Sequence, residues 1–244
     1  MPGIIAIFRR EITSYFITPL AYVFIVIFLV MNGIFTFYAG DFLERNQADL
    51  RGFFHFHPWL YLVFIPAIAM RLWAEEKKSG TIELLMTLPI STWDAVWGKF
   101  LAAWAFIGIA LALTFPIWLT VAYLGKPDHG LILAGYIGSF LMAGGYLAIG
   151  SALSALSKSQ VIAFVLGVTV SFIFTVTGFP MVLDGLINIL PLILLETIAS
   201  FSFLSRFNGI SNGLIELRDL LYFAGLILLW LYINVAAIEA KKAE

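Results

Sequence analysis

Residues 129–157 read HGLILAGYIGSFLMAGGYLAIGSALSALS, a stretch of 29 residues without a single Asp, Glu, Lys or Arg. A helix of roughly 20 mostly apolar residues crosses the hydrocarbon core of a bilayer, which is about 30 Å thick. This stretch is therefore long enough to span a membrane as one helix. Small residues in it predict close approach of neighbouring helix backbones. The glycines expected to act in this way are Gly135, Gly138, Gly144, Gly145 and Gly150.

Five further stretches also lack charged residues: 12–40, 52–70, 100–125, 159–183 and 220–238. Charged residues make up 12% of the 244-residue chain and hydrophobic residues 61%, whereas soluble domains are about 25% charged. The sequence therefore predicts an all-α membrane protein that forms a single transmembrane domain over residues 1–244. The six expected spans are 19–39, 58–74, 98–124, 130–156, 160–178 and 219–238.

Basic residues indicate which way the chain crosses the membrane. Six spans place both termini on one side, and Lys and Arg accumulate in cytoplasmic loops. Nine of the 14 Lys and Arg residues flank the spans on the side of the termini, and five flank them on the other side. The sequence therefore predicts a multi-pass protein with both termini in the cytoplasm.

The composition argues against several other functions. The chain has no cysteine, which excludes disulfides and thiolate metal sites, and its net charge of −1 gives no electrostatic basis for nucleic-acid binding. A phosphate-binding loop needs Gly-Lys followed by Ser or Thr, and neither Gly-Lys pair continues in this way. His55 and His57 alone are a weak metal signal. We therefore expect no catalytic, metal or cofactor site, and no enzymatic activity, in this chain.

The segment before the first span, residues 4–16, has the pattern of an amphipathic helix. Six apolar or aromatic residues fall on one third of its circumference, and Arg9 and Arg10 fall outside it, while Ile7 interrupts the pattern. The residues of the apolar face are Ile4, Ile5, Phe8, Ile12, Tyr15 and Phe16. Such a helix lies in the membrane interface with its basic face toward the headgroups.

Residues 75–89 form a segment after the second span that is long enough to have a function. Ser79-Gly80 breaks the helical pattern and can serve as a helix N-cap, and Pro89 ends the short helix that follows. Ser91 and Asp94 then fit a capping box that starts the next helix. A helix of about eight residues is unstable alone in water. Its leucines must therefore contact either lipid headgroups or a partner protein, and the spacing favours neither.

The segment 179–218, between the fifth and sixth spans, is too apolar for a solvated loop. Asp184 and Glu196 flank an apolar run that is interrupted by Pro191 and is too short to cross the membrane. We expect a re-entrant or interfacial helical hairpin on the outer side. It acts either as an external gate or as a cover over the span ends.

The stretch MRLWAEEKKSGTIELLMTLPIS (70–91) resembles a signature of the membrane subunits of type-2 ABC exporters, in particular the gliding-motility-type permease branch. HPWLYLVFIPAIAMRLW (57–73) and GLIELRDLLYF (213–223) are similar to the same branch, and the likeness covers essentially the whole chain. The resemblance implies a half-transporter in the cytoplasmic membrane of a bacterium. It pairs with a second permease copy, identical or different, and with two separate ATPase subunits that hold ATP and Mg. Membrane lipid and an accessory extracytoplasmic protein are the other implied partners.

In the resembling family, the 75–89 region is the coupling helix that contacts the ATPase. The positions that match are Glu75, Glu76, Lys77, Ser79, Gly80, Thr81, Glu83 and Leu84. They are the candidate site residues of this chain, and the resemblance assigns them to ATPase coupling rather than to substrate binding. The cargo itself is not assigned by the sequence.

An ion-coupled carrier or channel without ATPase partners is the alternative function. It predicts an ionisable residue within a span, and the six charge-free stretches contain no Asp, Glu, Lys or Arg. Their polar residues are expected to bond to their own helix or to a neighbouring one. These are Asn32, Thr36, Thr114, Ser139, Ser151, Ser154, Thr169, Ser171, Thr175, Thr177 and Asn234.

Overall fold

The computed structural model describes residues 2–45, 47–83, 89–187 and 191–242. Helices and no strands occur in these ranges, so the all-α prediction is confirmed. The helices are α1 (Pro2–Ile17), α2 (Pro19–Ile34, continued by a π-helical turn at Phe35–Ala39), α3 (Arg51–His55), α4 (His57–Ala69), α5 (Arg71–Ser79), α6 (Thr92–Ala112), α7 (Phe115–Leu124), α8 (His129–Leu156), α9 (Gln160–Val176), α10 (Pro180–Leu186), α11 (Leu192–Ser200), α12 (Phe203–Ser211) and α13 (Leu217–Lys242).

Within the described ranges, four helical segments are long and apolar enough to cross a membrane. They are Pro19–Ala39, Thr92–Leu124, His129–Leu156 and Leu217–Ala240. The fifth expected span corresponds to α9, which is apolar but shorter, and the second corresponds to α4 and α5, which are separate helices. The six-span count therefore stays a prediction.

Helix α8 is the centre of the bundle. It packs against α4, α5, α6, α9, α12 and α13, and its glycines make these close contacts possible. A Cβ atom on Gly150 would lie 2.5 Å from the Cβ of Ala69 on α4, closer than real Cβ atoms approach. The predicted role of the α8 glycines in close packing is therefore confirmed.

The break between α4 and α5 is explained by a side chain from α8. The Ser154 hydroxyl donates a hydrogen bond to the Met70 carbonyl over 2.9 Å. The same oxygen accepts hydrogen bonds from the backbone N–H groups of Trp73 and Ala74, over 3.2 and 3.0 Å. A side chain inserted into the backbone hydrogen-bond ladder is a known cause of a helix kink, and Pro66 lies one turn earlier. The predicted span 58–74 is therefore not one continuous helix.

Helix α1 packs along α6, and this contact buries one residue that the predicted apolar face leaves out. Ile7, which interrupts the expected apolar face, is only 5% exposed, whereas Ile5 is 54% exposed. A Cβ on Gly98 of α6 would fall 2.7 Å from the Ile7 side chain, so the glycine admits Ile7. Ile12, Tyr15 and Phe16 of the predicted apolar face also pack against the core. The contact with α6 therefore adds Ile7 to that face, and the interfacial position of the helix stays a prediction.

The capping box at Ser91 and Asp94 is confirmed. Ser91 Oγ accepts from the Asp94 N–H over 3.0 Å, and the Asp94 carboxylate accepts from the Ser91 N–H. The helix that starts there, α6, ends at Ala112, and α7 follows after a turn at Leu113 and Thr114. The expected span 98–124 is thus two consecutive helices.

In its described residues, 179–187 and 191–218, the 179–218 segment contains three short helices, α10 to α12, before α13 begins; the sequence predicts a hairpin here. Phe203, Phe207 and Ile210 of α12 are buried against α8. Arg206 of α12 is 3.1 Å from Asp219 of α13, which connects the segment to the last helix. This packing explains the apolar residues of α12, whereas Met181, Leu192 and Ile193 of α10 and α11 stay exposed.

Candidate functional site

The predicted coupling residues lie at the end of α5 and just beyond it. Glu75, Glu76, Lys77 and Ser79 belong to the last two turns of α5, Gly80 follows them, and residues 81–83 are again helical. Leu84 falls in 84–88, outside the described residues. Seven of the eight candidate positions can therefore be placed.

Gly80 ends α5 and turns the chain. Its φ of +75° is in the left-handed region that favours glycine, so it acts as a helix C-cap. The Ser79 hydroxyl donates to the Glu75 carbonyl over 2.9 Å and lies 2.9 Å from Thr81 Oγ1. The predicted break is therefore present, and Gly80 closes the preceding helix; whether the break also caps the helix that starts at residue 81 stays a prediction.

The seven placed positions divide into two groups by their surroundings. Five are exposed to solvent: Glu75, Ser79, Gly80, Thr81 and Glu83. The other two, Glu76 and Lys77, are partly buried and bond to other helices, and Lys77 donates to the Ala155 carbonyl of α8. The exposed group offers a surface to a partner, and the inward group attaches this surface to the bundle.

A buried lysine of α6 holds three helices together. Lys99 is 2% exposed, and its Nζ lies 2.8 Å from Glu76 Oε1 and 3.1 Å from Glu11 Oε1. Arg10 contacts Glu11 and lies 3.4 Å from Glu76 Oε1. These four residues, here called the Lys99 cluster, join α1, α5 and α6. Lys99 also sits 5.2 Å from the ring centre of the buried Trp73, within cation–π range.

The contacts of the Lys99 cluster lower the pKa of the Glu11 carboxyl. Burial of Glu11 by itself raises the pKa of its carboxyl, but the charge of Lys99 and the hydrogen bonds from Arg10 and Lys99 outweigh that effect, and the pKa is lowered. With two cations and two carboxylates, the formal charges of the cluster cancel. This balance lets the ions be removed from water without leaving a net buried charge.

Four residues of this site were not predicted: Lys99, Glu11, Arg10 and Ser154. Lys99 offered one signal, because it lies on a helix face whose other members, such as Val96 and Phe100, are buried apolar residues. The partners of Lys99 could not be predicted, since Glu11 is 88 residues away in sequence. Ser154 gave no signal, because a serine in an apolar helix usually bonds within its own helix.

The remaining polar residues of the bundle serve packing. Asn32, Thr36, Thr169, Thr175 and Thr177 donate to carbonyls of their own helices. Between helices, Asn234 donates to Ser151 over 2.7 Å, Thr114 contacts Tyr136, and Ser139 contacts both Tyr61 and His57. The predicted structural role is therefore confirmed for these residues. In the described part of the chain, Ser171 Oγ has no hydrogen-bond partner.

The pair His55 and His57 does not converge on one point. His57 is buried with its Nδ1 against Ser139, whereas His55 is exposed. Over the ranges that the structure covers, no group of three or more His, Cys, Asp and Glu side chains is placed to hold a metal ion.

A helical bundle with several membrane-length apolar helices is the architecture of a multi-pass membrane protein. The sequence profile described as "ABC-2 family transporter protein" matches residues 34–237. The chain belongs to this family and is a permease-type membrane subunit of an ABC transporter. Members of the family are typically non-catalytic, and the family implies an ATP-binding partner. A search of curated proteins finds no match to the chain. Membership of the gliding-motility-type branch of the family stays a prediction.

Proposed function

We propose that this chain is the transmembrane subunit of an ATP-binding cassette exporter in the cytoplasmic membrane of a bacterium. It crosses the membrane six times, has both termini in the cytoplasm and forms half of the translocation pathway. A second permease copy supplies the other half, and separate ATPase subunits supply the energy. The observation that carries the proposal is the attachment of α5: its exposed end is joined to α1, α6 and α8 by buried polar contacts.

The exposed residues around Gly80 form the docking surface for the ATPase. Thr81 and Glu83 project beyond the C-cap of α5, so a partner can reach them without disturbing the buried contacts. In a family whose members rely on an ATP-binding partner, this is the region that the resemblance assigns to coupling. Leu84 lies next to this surface in sequence.

Force applied at this surface passes into the bundle through three connections. The Lys99 cluster connects α5 to α1 and α6. Ser154 connects the start of α5 to α8, and Lys77 near the end of α5 donates to the Ala155 carbonyl of α8. Because α5 is held at both ends, it moves together with these helices rather than by itself. The break at Met70 separates α5 from α4, so the two helices do not form one rigid rod.

A charge reversal at the docking surface tests the proposal. We expect Glu83→Lys to leave expression and membrane insertion intact but to abolish co-purification of the ATPase and to uncouple its turnover from substrate. Glu196→Lys, an exposed reversal in the 179–218 segment, is the matched control and is expected to behave like the wild type. Full substrate-stimulated ATPase turnover in Glu83→Lys would refute the coupling assignment. Transport by the purified permease without any ATPase would instead support an ion-coupled carrier.

A further inference from the structure

A cleft of about 450 Å³ opens beside the Lys99 cluster. One wall is formed by α1 and the start of α2, the other by the end of α4 and by α5, and α6 forms the floor. Its volume falls within the range of roughly 300–1,000 Å³ that is common for ligand sites. The cleft is therefore large enough to hold part of a lipid-sized molecule.

The lining of the cleft changes from charged to apolar in the same direction on all three sides. On the α4–α5 wall it passes from Glu75 and Arg71 to Ile68, and on the floor from Lys99 to Phe106. On the remaining wall it passes from the charged residues of α1 to the apolar start of α2. A ligand that fits this gradient has a charged head and an apolar tail.

The charges at the polar end require a head that carries both signs. Three cationic and three anionic side chains line it: Arg10, Arg71, Lys99, Glu11, Glu75 and Glu76. A purely anionic or purely cationic head would be attracted by half of them and repelled by the other half. A zwitterionic head can place its phosphate near the guanidinium groups, which are good phosphate partners, and its cation near the carboxylates.

Glu76 indicates which cation the head carries. Its Oε1 accepts from Lys99 and Arg10, whereas its buried Oε2 has no hydrogen-bond partner in the described part of the chain. Rotation of the terminal carboxylate torsion is easy and can turn this oxygen toward the cleft. A primary ammonium can donate a hydrogen bond to it, but a quaternary ammonium has no N–H to give. The aromatic rings of Tyr15 and Phe106 are stacked on each other at 5.1 Å, so they do not form an open cage for a quaternary cation.

We infer that this cleft binds the headgroup of a phospholipid with a primary amine, of the phosphatidylethanolamine class, between α1 and α5. The acyl chains leave along the apolar end of the cleft into the bilayer. The inference rests on the proposed position of α1 and α5 at the membrane surface, and it does not depend on an ATPase partner. Occupation by a lipid would brace α5 against α1 next to the docking surface.

A methylation series of lipids tests the inference. The purified full-length chain in detergent receives equal amounts of phosphatidylethanolamine, its N-methyl and N,N-dimethyl derivatives, phosphatidylcholine and phosphatidylglycerol. The lipid retained after gel filtration is then quantified by mass spectrometry. The N-methyl and N,N-dimethyl derivatives keep at least one N–H donor and are expected to be retained. Phosphatidylcholine has none, and its retention is expected to be about tenfold lower or more, the usual scale of a charge-assisted hydrogen bond. Equal retention of phosphatidylethanolamine and phosphatidylcholine would overturn the inference.

Two variants connect the selectivity to the cleft. Glu76→Gln is expected to reduce the preference for phosphatidylethanolamine over phosphatidylcholine. Glu75→Gln alters a more exposed residue, with 47% of its side chain accessible, and makes the cleft net positive. Glu75→Gln is therefore expected to shift retention toward phosphatidylglycerol. This second variant keeps the test decisive if Glu76→Gln does not fold. The control Glu196→Gln should keep the wild-type order, and wild-type selectivity in both cleft variants would refute the site. Because no ATPase is present, these results are independent of the docking experiment.

Discussion

Replacing Lys99 with methionine would remove the more deeply buried of the two cations that Glu11 and Glu76 share. Methionine fills nearly the same space as the lysine stem, so the change removes charge more than volume. Lys99 has a side-chain exposure of 3%, and the two carboxylates have exposures of 15% and 17%. In the variant, both carboxylates stay largely out of water, with Arg10 as their remaining cation.

The size of the effect follows from the burial of the stranded carboxylates. Removing one partner of a buried ion pair typically costs about 3–5 kcal/mol, because the other charge is left uncompensated. Arg10 still offsets part of the charge in the Lys99→Met variant, which places the expected loss at the lower end, about 3 kcal/mol. In a chain of this length that corresponds to a decrease in melting temperature of roughly 6–12 °C.

Thermal unfolding of the detergent-purified chain, followed by loss of the monodisperse gel-filtration peak, measures this decrease. Lys126→Met, which changes an exposed lysine between α7 and α8, is the matched control and should unfold within about 1–2 °C of the wild type. A triple variant that adds Glu11→Gln and Glu76→Gln to Lys99→Met should recover at least half of the loss, since no buried charge remains. If Lys99→Met unfolds at the wild-type temperature, the Lys99 cluster does not hold these helices together.

The other contacts of the site give two further predictions. Ser154→Ala leaves one carbonyl and two N–H groups at the α4–α5 break without their partner, so we expect the variant to lose about 1–3 kcal/mol of stability. Thr120→Ala, which changes an exposed threonine of α7, serves as the control. Equal melting temperatures of Ser154→Ala and the wild type would contradict the role of Ser154. The pKa of Glu11 is lower in the folded chain than in the unfolded chain, so ionised Glu11 stabilises the fold. This stabilisation is complete above the unfolded pKa and is lost as the pH falls through the folded pKa. The melting temperature should therefore decline between about pH 5 and pH 3, and a Glu11→Gln variant that shows the same decline would refute this assignment.

Features of the fold that depend on neighbouring residues in the sequence could be predicted from it. The capping box of Ser91 and Asp94 lies within four residues, and the break at Ser79-Gly80 follows from the ability of glycine to adopt a positive φ. The glycines of α8 are another case, because a run of small residues on a long apolar helix has few uses other than close packing. In each case the chemistry that fixes the structure is local.

Features that depend on which helices meet could not be predicted in this way. Ile7 is buried because α6 offers Gly98 opposite to it, and nothing in residues 4–16 indicates this. In the same way, the kink at Met70 is made by Ser154, about 80 residues further along the chain. Sequence periodicity predicts which face of a helix is apolar. It does not predict which residues become buried when one particular neighbouring helix packs against that helix.

The distribution of polar contacts explains how a bundle built mainly from apolar helices can respond to force at one end. Apolar contacts between membrane helices are weakly directional, so they permit sliding. At the end with α1 and α5, the Lys99 cluster and Ser154 instead fix α5 with charged and backbone hydrogen bonds of defined geometry, which do not slide without breaking. In the proposed coupling, displacement of α5 is therefore expected to move α1, α6 and α8 with it, while the break at Met70 lets the angle between α5 and α4 change. Weakening the Lys99 cluster and the Ser154 contacts together should leave the ATPase bound but uncoupled. This phenotype differs from the loss of ATPase binding that is expected for Glu83→Lys.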